Sequence, residues 1–207
     1  QDVYEPGSTG KVMTLAAAIE EKKVTPETVI TVPYALKRST KVFHDHERHA
    51  TQYLTTAGVL AVSSNTGSIQ IGELLSHDTF YDYLTKFGVG SKTGSGLPGE
   101  SRGILPKVAD WSGTSAPTMA FGQGYSLTAM QATSIFATIA NDGVRVSPTV
   151  IAGTRDASGN FTPAPGRTSQ RVISAETAKA MRLMMESVVS GNGTAPSAAI
   201  AGYRVAG

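Results

Sequence analysis

Apolar residues at Val12, Leu15, Ala16 and Ile19 recur at three- and four-residue intervals, which predicts a helix from Ser8 to Lys23 that buries one face and closes on cations. Thr28 to Val32 alternates weakly and reads as a short strand. The apolar stretch Tyr53–Leu75 reads as two helices meeting near Ser63–Thr66, and Asp78 to Phe87 as a third helix capped by Ser76 or Asp78. Thr128 is placed to cap a long apolar helix through Ala140, which Asn141-Asp142-Gly143 terminates. Val144–Ile151 reads as strand and loop, and Asp156–Gly166, rich in Gly, Pro and Asn, as an exposed hairpin or loop. Ser174 caps the last long helix, with Met181, Leu183, Met184 and Val188 expected on its buried side and the methionines as core filling. Tyr203-Arg204-Val205 then begins an extended run. With no internal repeat and no boundary, residues 1–207 read as one domain.

Composition narrows the chemistry. The chain has no cysteine, which excludes disulfides and thiolate catalysis and leaves any metal site to His and carboxylates. A net charge of +2, with basic residues forming no stripe, gives no footprint for nucleic acid. No segment is long and apolar enough to span a membrane, and none has the pattern of a signal peptide.

Ser8 and Lys11 are the first candidates for chemistry. Residues three apart share a helix face, so the Lys11 amine can reach the Ser8 hydroxyl, and a neutral lysine can take its proton. About one chance Ser-x-x-Lys is expected in a chain of this length, so context has to supply the specificity. Pro6-Gly7 forces a turn that places Ser8 at the helix start, where unpaired backbone N–H groups favour developing negative charge. Ser63-Ser64-Asn65 offers a hydroxyl and an amide at a helix–helix junction, suited to relaying a proton and holding a substrate amide; a helix N-cap is the plain alternative.

Two further clusters carry open alternatives. His44-Asp45-His46-Glu47-Arg48-His49 gathers three imidazoles and two carboxylates, as a metal site would, but Arg48 sits among them and a solvated loop is the simpler reading. Trp111 with Tyr81, Tyr83 and Phe87 forms either a binding platform or, more simply, core.

Ser-x-x-Lys, Ser-x-Asn and Lys-Thr-Gly elements belong together in penicillin-binding proteins and related β-lactamases. Tyr4-Glu5-Pro6-Gly7-Ser8-Thr9, Ser63-Ser64-Asn65, Phe87-Gly88-Val89-Gly90 with Gly96-Leu97-Pro98-Gly99-Glu100, and Phe121-Gly122-Gln123-Gly124 with Thr128-Ala129-Met130-Gln131 resemble, in order and spacing, the transpeptidase domain of class B penicillin-binding proteins. The resemblance implies an α+β fold, of which this chain is the helix-rich part, with most of the antiparallel sheet outside it. It implies a serine acyltransferase: Ser8 as nucleophile, Lys11 as general base, Ser63 as proton relay, Asn65 as partner of the peptide amide, and no cofactor or metal. It further implies stem peptides ending in D-Ala-D-Ala as substrate, β-lactams as covalent ligands, cell-division membrane proteins as partners, and an extracytoplasmic site tethered by an N-terminal helix absent from this chain. Gly10 departs from the bulkier residue common in relatives, which should cost about 1 kcal/mol of helix propensity and loosen packing beside Ser8.

Lys92-Thr93-Gly94 spells the third motif but lies in a Gly/Pro-rich loop, whereas the working triad needs a strand; the resemblance puts it just after Gly207. Two other functions stay open at this point. One is a non-catalytic binding or scaffold module, favoured by the missing triad. The other is a β-lactamase or D,D-carboxypeptidase, for which only Glu5 lies close in sequence as a deacylating base.

Overall fold

The computed structural model describes residues 2–164 and 166–207, and its fold is α+β. Helix α1 (Lys11–Glu20) is preceded by a 3-10 turn over Gly7–Gly10. There follow β1 (Val29–Val32), β2 (Ala35–Arg38), β3 (Lys41–His44), β4 (Gln52–Thr55), α2 (Thr56–Ala61), α3 (Asn65–Gly72) and α4 (His77–Lys86). The chain continues through α5 (Ser115–Met119), α6 (Ala129–Ala140), β5 (Val144–Val146), β6 (Gly153–Arg155), β7 (Phe161–Pro163), β8 (Ser169–Arg171) and α7 (Ala175–Glu186). Among the described residues the strands form only two-stranded antiparallel ribbons, β1–β4, β2–β3, β5–β8 and β6–β7. The helix-rich α+β composition expected from the sequence is thus present.

Capping residues set the helix starts. The side chains of Ser64, Ser76, Thr128 and Ser174 each accept an N–H from the first turn of the helix that follows, and Thr128 with Gln131 closes a full capping box. Asp142 and Gly143, both at positive φ, end α6 as expected. The glycine-rich reading at Asp156–Gly166 resolves as the β6–β7 hairpin, with Pro165 outside the described residues.

Four expectations are corrected. Helix α1 is not one-faced: Lys11 through Ala18 are all buried, because α2, α3, α4 and α7 surround it, and the helix ends at Glu20 rather than Lys23. Leu183 is 51 % exposed, and Met185 takes its expected place beside Met181 and Met184. The buried positions Ala178, Met181 and Met185 repeat at three and four residues, and Leu183 falls off that stripe. Tyr203-Arg204-Val205 joins no strand: Arg204 pairs with Glu186 at 2.7 Å and the chain returns to α7 through Gly207 N–H to Met185 O. Nor is packing loose at Gly10, where a Cβ would lie 2.3 Å from Tyr125 Oη and 2.9 Å from Gly122 Cα. Tyr125 fills the space from the far side of the core, at the cost of a buried hydroxyl with no hydrogen-bond partner among the described residues.

The aromatic cluster is core: Phe87 and Tyr83 are buried, and Trp111 meets Phe80 and Tyr81 edge-on. The β2–β3 hairpin is held by Phe43, whose ring meets Phe121 at 5.8 Å, and thereby forms one wall of a cleft at the start of α1.

Candidate active site

The cleft has a volume of about 290 Å³ and is lined by Gly7 and Ser8, by Lys41–His44 of β3, by Asn65, and by Phe121 and Gln123. Ser8 opens into it from the 3-10 turn rather than from the α-helix proper. In 3-10 geometry side chains at i and i+3 eclipse, so Ser8 stands directly over Lys11, with Nζ at 3.2 Å from Oγ. Pro6 supplies the pre-set φ of −66° at the cap and Gly7 the positive φ that turns the chain inward.

Lys11 is 1 % exposed. Its ammonium position also lies 2.5 Å from Ser63 O and 2.9 Å from Ser63 Oγ, so it bridges the two sequence motifs. Burial lowers its pKa from the usual lysine value to about 8, against an opposing pull from the Asp45 carboxylate. The ammonium can donate to all three oxygens; on losing a proton the amine keeps two N–H groups for Ser63 and a lone pair that can accept from the Ser8 hydroxyl.

Ser63 has φ +57°, a left-handed backbone rare for a non-glycine residue. That conformation closes α2, through Ser63 N–H to Leu60 O and Ser64 N–H to Val59 O, and turns both Ser63 oxygens toward Lys11. Asn65 donates from Nδ2 to His44 O at 3.0 Å, which ties the start of α3 to β3 at the cleft wall. Ser8, Lys11, Ser63 and Asn65 are therefore brought together, from three elements, in one place.

Sequence reasoning missed Asp45. Its Oδ2 accepts from Ser64 Oγ at 2.7 Å and its Oδ1 from Thr66 N–H at 2.9 Å, and His49 lies against Oδ2 at 3.1 Å. The His/Asp run is thus more than a solvated loop, since Asp45 and His49 are tied to each other and to the start of α3; among the described residues no group of three or more His, Cys, Asp or Glu is placed to hold a metal ion. Its partners are distant in sequence, so only the run's unusual density of titratable groups hinted at it.

Lys92-Thr93-Gly94 lies in irregular chain, with Lys92 exposed and outside the cleft lining. Thr93 N–H and Oγ1 and Gly94 N–H all donate to the Glu100 carboxylate, so these donors of the triad are already spent on the chain's own acid. Lys92→Ala is expected to leave acylation within a few-fold, whereas loss of a carboxylate-holding lysine costs on the order of a hundredfold. Acylation rates with labelled penicillin decide between them.

A serine at a helix start, standing over a buried lysine of lowered pKa with a second serine on its far side, is an arrangement that can activate a hydroxyl as a nucleophile. The profile for the penicillin binding protein transpeptidase domain matches residues 1–207, and the chain belongs to that family. The chain is similar to penicillin-binding protein PbpB of Mycolicibacterium smegmatis, 41 % identical over 99 % of this chain and 32 % of that protein. It is also similar to peptidoglycan D,D-transpeptidase FtsI of Escherichia coli, 34 % identical over 99 % of this chain and 33 % of that protein. Penicillin binding protein 3 of Mycobacterium tuberculosis, solved in complex with aztreonam, superposes with a TM-score of 0.95 at 39 % identity, over 98 % of this chain and 47 % of that one. The chain spans about a third of the length of these curated relatives. Among the described residues no helix is long and apolar enough to cross a membrane.

Proposed function

We propose that this chain carries the nucleophile side of a peptidoglycan D,D-transpeptidase site, and that Lys11 suspended between Ser8 and Ser63 is the observation that carries the reading. Ser8 Oγ attacks the carbonyl of the penultimate D-alanine while its proton passes to neutral Lys11. The peptide C–N bond then breaks, Ser63 relays a proton to the departing D-alanine amine, and the stem peptide remains as an ester on Ser8. An amine from a second stem peptide attacks that ester and regenerates the serine. Asn65 holds the peptide amide at the cleft wall, and the Ser8 N–H provides half of the oxyanion site.

The other half, with the carboxylate-binding Lys-Thr-Gly, comes in this reading from a strand of the intact protein outside residues 1–207. The short coverage of the relatives supports that. β-Lactams acylate the same serine. The likeness to FtsI and PbpB supports a cell-division role with division membrane proteins as partners, at an extracytoplasmic site anchored by a helix outside this chain.

The test is labelled penicillin with the intact protein, followed by peptide mapping across pH. The adduct is expected on Ser8, and the rate is expected to rise with pH through about 8, because only the unprotonated Lys11 can accept the serine proton. An adduct on Ser63, no adduct, or a rate flat between pH 6 and 9 would each remove the reading.

A further inference from the structure

Two consecutive residues at the end of β3, His44 and Asp45, hold the turn that carries Ser63. The His44 carbonyl takes the Asn65 amide, and the Asp45 carboxylate takes the Ser64 hydroxyl and the Thr66 N–H. Ser64 Oγ in turn accepts from Gly67 N–H, so the Asp45 carboxylate sits behind the first turn of α3, where the helix dipole favours negative charge. Ser63, one residue before this anchor, has a backbone conformation that costs free energy and persists only if its neighbours fix it. Asp45 also acts on Lys11 through space, favouring the charged amine.

His49 completes the arrangement. Its Nδ1 lies 2.6 Å from Ala50 O and its Nε2 lies 3.1 Å from Asp45 Oδ2. Both ring nitrogens therefore face oxygen acceptors. A neutral imidazole carries one N–H and can satisfy only one of them, whereas the imidazolium satisfies both. The donation to Ala50 O, aided by Asp45, raises the pKa of His49 in spite of desolvation. Around the ring stand Tyr34, edge-on at 5.9 Å, Arg48 over the same tyrosine at 5.9 Å, and His44 against it at 5.0 Å; from α1 the facing charge is Lys11, which feels Asp45.

We propose that Asp45 and His49 are a positioning pair for proton transfer: the carboxylate fixes the Ser63-Ser64-Asn65 turn, and the imidazolium offsets the field that the carboxylate imposes on Lys11. This rests on the reading of Ser8 as nucleophile and Lys11 as base. The pair never touches substrate. Its effect is to let one half-buried acid hold Ser63 in place without keeping the lysine base protonated.

The signature is a pair of opposite shifts. In the intact protein, Asp45→Asn removes the negative charge, so the acid limb of the rate of Ser8 acylation by labelled penicillin moves to lower pH, while the plateau falls about tenfold as Ser63 loses its anchor. His49→Ala removes the ring nitrogen held against Asp45 Oδ2, so the carboxylate acts on Lys11 uncovered and the same limb moves to higher pH. A merely structural role lowers both rates and leaves both limbs where they were, which would overturn the proposal, as would shifts in the same direction. If thermal melting shows that Asp45→Asn does not fold, the His49→Ala limb decides alone: an upward shift supports the pair and an unmoved limb refutes it. Ser8→Ala is run alongside. An adduct that survives it removes the nucleophile assignment and this inference together, whereas an adduct confined to Ser8 with unmoved limbs removes the inference only.

Discussion

Lys11→Arg is expected to reduce acylation of Ser8 by about a thousandfold or more, although the charge at position 11 is kept. A guanidinium holds its proton at every working pH, so the variant has a cation beside Ser8 but no base. The proposed role of lysine rests on surroundings that favour losing the proton: the side chain is 1 % exposed and its pKa is lowered to about 8 by burial. At pH 7.5 roughly a quarter of the molecules would then carry the neutral amine, enough to sustain turnover without a stronger device. The larger guanidinium also meets a filled space, since Ser8 and Ser63 already crowd Nζ. Acylation is measured with labelled penicillin in the intact protein, with thermal melting alongside to confirm folding. A folded Lys11→Arg protein that reacts within tenfold of the parent would mean that another group takes the serine proton.

How far the sequence discloses this site depends on how local each cause is. The caps at Ser76, Thr128 and Ser174 act within one helical turn, so residue type and spacing alone identify them. Ser8 and Lys11 are likewise neighbours on one turn, and their pairing was readable. The β2–β3 hairpin was not, because its turn uses Ser39 at φ +51° where the recognisable hairpin signals place Asn or Gly. Asp45 was seen only as one of several possible metal ligands, since its partners Ser64 and Thr66 are brought to it by the tertiary fold. Gly10 shows the same limit in reverse: a missing side chain read as looseness, while the space is filled by Tyr125 from the other motif. At Lys92-Thr93-Gly94 the sequence offered only a spelling and its flanks. Its Gly/Pro flanks marked it as a loop, but only the structure reveals that Glu100 occupies its donors.

Gly122→Ala is expected to be the most damaging single-methyl change near the cleft. Gly122 has φ +87°, and an added Cβ would lie 1.8 Å from Gly7 O and 2.7 Å from Gly7 C, both backbone atoms. Neither can rotate away. Gly7 and Gly122 are also joined by a hydrogen bond from Gly7 N–H to Gly122 O at 2.8 Å, so parting the two turns to admit a methyl breaks the contact that sets Gly7 and hence Ser8. The expected loss is about 4 kcal/mol or more, together with slowed acylation from a displaced nucleophile. Gly159 supplies the control, because it has nearly the same backbone, φ +86°, with nothing within 4 Å of its Cβ position. Gly159→Ala then isolates the conformational penalty, about 1 kcal/mol, without the clash. Denaturant unfolding of both variants in the intact protein separates the two contributions. Equal losses would mean that the chain at Gly7 yields freely, and the rigid seating of Ser8 argued from this contact would have to be given up.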